Sequence, residues 1–159
     1  MNKYSLPKDF DNFIKELESF FDLNLNFRPL ILEVESRNEF DSLRGEITKP
    51  WLVAFVKGDM IIIFSKKSIN KETTHKIEEW DSLVKHELCH IFYYNKFKTY
   101  LPLWLNEGLA LNLANQKKPK IYFSVKDIIN LTTKENFSKD KYAYHKSYWI
   151  VKKLLENEA

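Results

Sequence analysis

The sequence predicts an α+β fold, and three observations carry that prediction. Apolar residues recur at helical spacing near the N-terminus and through the second half of the chain. Between them, two apolar runs flank Lys57-Gly58-Asp59, and Gly-Asp suits a two-residue hairpin turn. The elements come in the order helix, strand, helix, hairpin and then helices only, so strands and helices segregate rather than alternate.

Each element has its own reason. Residues 7 to 21 place Phe10, Phe13, Ile14, Leu17, Phe20 and Phe21 on one side of a helix. Leu30 to Glu35 sets Leu30, Leu32 and Val34 against Ile31, Glu33 and Glu35, the alternation of a strand. Ser36 can cap a short helix ending near Gly45, with Glu39 completing a capping box. Trp51 to Val56 and Met60 to Ser65 are the hairpin strands. Thr73 or Thr74 opens a long helix reaching about Asn95. Ile77, Trp80, Val84, Leu88 and Ile91 form one buried stripe on it, and Leu83, His86, His90 and Tyr94 a second. A helix covered on two faces is a central one. Pro102 starts a helix from about Leu103 to Gln116, and Lys117 to Lys120 is a solvated loop. Ser124 or Asp127 starts a short helix through Leu131, and a last helix spans about Asp140 to Asn157 with Tyr144, Tyr148, Val151 and Leu155 on one face. No repeat or low-complexity linker interrupts residues 1 to 159, which read as a single domain.

Composition narrows the function. The 159 residues carry 25 basic and 22 acidic groups, a net charge of +3, and 22 of the basic residues are lysine. Nucleic-acid binders show a dense basic face, often rich in arginine, so none is expected as a partner. Only three glycines are present and none forms a phosphate-cradling loop. Cys89 is the one cysteine, which rules out an internal disulfide. The apolar runs Trp51 to Val56 and Met60 to Phe64 are far short of the ~20 residues that span a membrane. The start of the chain lacks the apolar stretch of a secretory signal. A cytoplasmic protein with no membrane partner is the expectation.

The chemistry lies in His86-Glu87-Leu88-Cys89-His90. Two histidines one turn apart point to the same side of a helix. Their nitrogens can hold Zn²⁺ at ~2.0–2.1 Å each. Glu87 lies about 100° round the helix from His86. It is poorly placed to share the metal but can take a proton from a water bound there. Catalytic zinc usually takes three protein ligands and keeps one position open. A metzincin would have Gly at 93 and His at 96, whereas this chain has Tyr93 and Lys96. Among the downstream acids Glu107 stands out, in Trp104-Leu105-Asn106-Glu107-Gly108-Leu109-Ala110. The interval after His90 is long enough for a helix end, a turn and a return helix. Gly108 costs a helix up to ~1 kcal/mol relative to Ala, so it points to a close approach of a neighbouring backbone. Cys89, by its angle on the helix, is expected to be a small core residue.

HELCH followed by WLNEGLA resembles the gluzincin metallopeptidases, and the wording is close to that of M1-type aminopeptidases and peptidase MA-like domains. The likeness runs from about Leu30 to Leu155. It includes a hairpin ahead of the metal helix and Tyr144-x-x-Ser147-x-x-x-Val151 near the C-terminus. It implies a minimal zincin-like domain, with a small mixed sheet whose hairpin rim packs on a central active-site helix. It implies zinc held by His86, His90 and Glu107, with Glu87 as general base. It implies Tyr144 as stabiliser of the oxyanion, with His145 the second choice. The rim strand, at Val53, Ala54 and Phe55, would bind an extended peptide or protein substrate by backbone pairing.

Two departures qualify the resemblance. The spacing to Glu107 is shorter than in the aminopeptidases. Those enzymes also grip the substrate's ammonium with an acid on the rim strand, and Trp51 to Val56 has none. The expectation is therefore an endopeptidase, unless a carboxylate from elsewhere, such as Glu33 or Glu35 on the preceding strand, takes over the anchoring role. Latency is expected as well, with residues 1 to 28 or the Lys117 to Asp140 segment covering the cleft. The alternative is a non-catalytic or regulatory zinc domain that recognises a peptide or partner protein, or a sensor peptidase acting on a repressor. Glu87 argues against the inert version, because a structural zinc has no use for a base.

Overall fold

The computed structural model describes residues 1–157. It is an α+β fold built on one four-stranded mixed sheet. The strands are β1 (Asn2–Ser5), β2 (Leu30–Val34), β3 (Ala54–Lys57) and β4 (Met60–Phe64), in the spatial order β1-β2-β4-β3. β1 and β2 are antiparallel, β2 and β4 parallel, and β4 and β3 form the expected hairpin. Lys57 pairs with Met60 across Gly58-Asp59, and Gly58 takes the positive φ of 66° that such a turn requires. β1 was not legible in the sequence. Asn-Lys-Tyr-Ser has no apolar alternation; it is held by its ladder to β2 and by the Tyr4 hydroxyl, which donates to Glu33 Oε1 at 2.6 Å. The alternation expected for β2 also fails, because Ile31 and Val34 are both fully buried on a strand that lies inside the sheet.

The sheet is covered on both faces, since consecutive residues Ile61 to Phe64 are all buried and alternate in direction. One face is closed by α2 (Arg37–Arg44), whose Phe40 packs on Phe55 and Phe64. Ser36 caps α2 by accepting from the Glu39 N–H, and Gly45 ends it at φ 82°. The Glu39 carboxylate accepts instead from the Glu35 N–H, so only half of the capping box forms as expected. The other face rests on α4 (Trp80–Phe97), which in turn carries α1 (Asp11–Phe21). α1 presents Phe13, Leu17 and Phe21, and Phe21 stacks on Phe92 of α4 at 5.9 Å.

α4 begins later than the sequence pattern suggests. Thr73 and Thr74 end a short helix, α3 (Ile69–Glu72), rather than opening a long one. The Thr73 hydroxyl donates to Ile69 O at 2.7 Å and accepts from the His75 N–H at 2.9 Å. Such side-chain bonds compete with helix continuation. Ile77 sits in a 3₁₀ turn ahead of α4 and is exposed, so it drops out of the buried stripe. Trp80 fixes the true start by donating its Nε1–H to Phe64 O at 3.0 Å.

The remaining helices form a separate layer. They are α5 (Leu103–Leu113), α6 (Val125–Asn130), α7 (Lys134–Lys139) and α8 (Ala143–Asn157). α7 fell in a stretch with no periodic signal. A small second core of Leu131, Phe137, Ala143 and Ile150 holds this layer together. Among the described residues no helix is long and apolar enough to cross a membrane.

Candidate metal centre

α4 and α5 bring three chemically distinct side chains to one point. His86, His90 and Glu107 each offer a ligand atom, and these atoms lie within 4.8 Å of one another. Glu107 Oε2 is 3.1 Å from His86 Nε2 and 3.5 Å from His90 Nε2. Two atoms each ~2.0–2.1 Å from a tetrahedral zinc lie about 3.3 Å apart, so the observed spacings suit that ion. The donor set, two imidazoles and one carboxylate, also suits a catalytic zinc.

The other ring nitrogens are occupied. His90 Nδ1 meets Asn106 Oδ1 at 2.7 Å, and His86 Nδ1 meets Gln116 Oε1 at 2.7 Å. An amide oxygen only accepts, so each Nδ1 carries a proton and each Nε2 is directed at the centre. Asn106 is itself held, donating from Nδ2 to Tyr100 O at 3.2 Å. Sequence reasoning missed both amides. Asn106 precedes Glu107 in the same motif and could have been suspected as an immediate neighbour. Gln116 carries no local signal.

Electrostatics bind the group together. Burial favours a neutral Glu107, but the His90 charge and the hydrogen bonds from His86 and His90 outweigh it and hold its pKa well below the usual carboxylate range. Burial favours a neutral His90, yet the Glu107 carboxylate pushes its pKa up to about 9. Glu87 is buried beside them, and its pKa is raised by desolvation with the two histidines opposing. Cys89 is a buried thiol raised first by desolvation and then by the Glu87 charge, in keeping with a core role.

Gly108 explains how α5 reaches this position. A Cβ there would overlap Ser147 O and Val151 Cγ2 of α8. Asn112 Nδ2 seals the contact by donating to Gly108 O at 2.8 Å and Tyr148 O at 3.0 Å. α8 thereby packs closely on α5, and its first turn carries Tyr144. Burial raises the Tyr144 pKa, and the nearby Glu107 and Glu87 charges raise it further. Its ring meets Trp51 at 6.2 Å and Phe137 at 5.1 Å, both edge to face. The His145 ring lies 5.9 Å from that of Tyr142, and its pKa is lowered by burial and by Lys118.

β3 is an open edge of the sheet, with α4 packed beneath it. Val53, Ala54 and Phe55 are all buried, and the Phe55 ring faces α2 with the Arg44 guanidinium 5.0 Å above it. The Phe64 N–H donates to Val53 O at 3.4 Å. By the antiparallel alternation, the backbone groups of Ala54 and Val56 then point away from β4 toward the open side. Glu33 and Glu35 lie on or just past β2, with β4 between them and this edge. They are engaged by Tyr4 and by Ser65 and Ser68 respectively. α1 contacts α4 through Lys85 and Phe92, about a third of a turn from His86. The Lys117 to Asp140 segment packs on α8, where Trp149 donates to Lys118 O and Pro119 O.

No family model matches the chain, and no curated protein and no solved structure matches it either.

Proposed function

We propose that this chain is a zinc-dependent peptidase with a gluzincin-type centre and a zincin-like fold, cutting within peptide chains. The observation that carries the reading is the meeting of His86, His90 and Glu107, with Glu87 buried beside them. Zinc held by the three ligands would supply a Lewis acid that polarises the scissile carbonyl and acidifies water. Glu87 takes a proton from the attacking water and delivers it to the leaving amine nitrogen. Its raised pKa suits a group that must both accept and return a proton. The Tyr144 hydroxyl keeps its proton and donates to the developing oxyanion, a contact typically worth about 2.7–4 kcal/mol in the transition state.

The substrate lies along β3 in extended form. Because Val53, Ala54 and Phe55 are buried, the strand offers backbone rather than side chains, through Ala54 and Val56. The edge has no carboxylate, and Glu33 and Glu35 are engaged elsewhere, so nothing there would hold a free ammonium group.

The test is a digest of a peptide library by zinc-reconstituted protein, read by mass spectrometry. Cuts should fall inside chains, and N-acetylated peptides should be cut as well as free ones. Glu87→Gln should keep its zinc and lose activity by about 10² or more. Products arising only by stepwise loss of N-terminal residues would sink the endopeptidase claim. A Glu87→Gln protein with full activity would remove the base.

A further inference from the structure

We propose that Gln116 is a positioning residue of the metal centre, delivered there by the turn that ends α5. Gln116 lies nine positions after Glu107. On a continued helix that spacing would set the two about 180° apart, on opposite sides. The chain does not continue as a helix. Asn115 adopts φ 56°, its N–H donates to Asn112 O at 3.1 Å, and the Gln116 N–H donates to Leu111 O at 2.8 Å. This is the Schellman pattern, with Asn in the left-handed position. It turns the chain back so that Gln116 Oε1 accepts from His86 Nδ1 at 2.7 Å. The same amide's Nε2 points to Ser82 Oγ at 3.4 Å, one turn earlier on α4.

The consequence is chemical. The hydrogen bond fixes the His86 proton on Nδ1 and leaves the Nε2 lone pair for a metal. Asn106 does the same for His90. Both supports are neutral amides, where a carboxylate would make the imidazole a more basic ligand. Glu107 is then the only anionic ligand among the three, and a bound Zn²⁺ would keep a net charge of +1 on its three protein ligands.

The metal role of Gln116 rests on the zinc reading above, whereas the hydrogen bond does not, so two measurements separate them. The first is competition for Zn²⁺ against a chelator of known affinity. Gln116→Leu should weaken zinc binding by about 10–100-fold. Gln116→Glu retains an acceptor and should bind at least as tightly as wild type. Asn115→Gly keeps the turn and the affinity, whereas Asn115→Val strains it and weakens binding with Gln116 still present. The second is nitrogen NMR of the metal-free protein. A hydrogen-bonded His86 Nδ1–H should appear in wild type and in Gln116→Glu, and vanish in Gln116→Leu. Equal affinities in all three proteins, or equal losses in the Leu and Glu variants, would overturn the proposal. So would an Nδ1–H signal indifferent to position 116. A wild-type chain that binds no zinc would instead overturn the function proposed above and the metal role with it, while the NMR result still decides whether Gln116 holds His86.

Discussion

The sheet half and the helical half of the molecule meet at α4 and are held by different physics. On the sheet side, Phe40, Phe55, Phe64 and the run Ile61 to Ile63 fill a broad apolar core in which many contacts share the work. On the helical side, α5 and α8 meet at Gly108, against the Ser147 carbonyl and the Val151 side chain, and the second core is small. The sheet half offers the centre an edge of backbone. The helical half supplies Asn106, Glu107 and Gln116, whose positions matter to within fractions of an ångström. Stability and site geometry are thus concentrated on opposite sides of the same helix.

The sharpest way to break this comparison is Glu107→Ala. It should abolish stoichiometric zinc, measured by metal analysis after reconstitution, while circular dichroism shows the helices intact. Loss of helix along with the metal would mean that the centre also holds the fold. Next come two packing variants read side by side. Phe40→Ala should cost about 3–5 kcal/mol in denaturant unfolding yet leave the zinc affinity of the folded protein unchanged. Gly108→Ala should cost less, about 1–3 kcal/mol, and still weaken zinc, because α8 or α5 must move to admit the methyl group. Equal effects on zinc would erase the distinction between the halves.

The smallest expected effect is on pH. In the metal-free protein His90 has its pKa raised to about 9 by Glu107, with burial opposing. A raised pKa stabilises the fold fully below the ordinary histidine value near 6.5, and that contribution is lost as pH rises through about 9. The Tm of the metal-free protein should therefore fall by roughly a few degrees between pH 7 and 9.5. With zinc bound the imidazole is neutral throughout, so that fall should largely disappear. A metal-free Tm that rises over this interval would contradict the His90–Glu107 pairing.

Much of the site was legible in the residues because it is local. His86 and His90 share a face by helical period alone, and Gly108 announced a close approach before its partner was known. The hairpin was legible for the same reason, since Gly58-Asp59 dictates its turn within two residues. The start of α4 was misread because Thr73 and Thr74 look like caps, while the Thr73 side chain closes the preceding helix. β1 was missed because an edge strand needs no apolar pattern of its own once a neighbour supplies the hydrogen bonds.

The sequence by itself determined the two histidines on one helix face, Glu87 between them and the helix that carries Glu107, because each rests on spacings of a few residues. Tertiary structure alone decided which amides hold the imidazoles and which backbone groups of β3 point away from β4. Those outcomes depend on how α5, α8 and the sheet edge approach α4. Gln116 marks the boundary between the two. Its local turn follows from Asn115, but its partner lies 30 residues back along the chain, and only packing brings them within 2.7 Å.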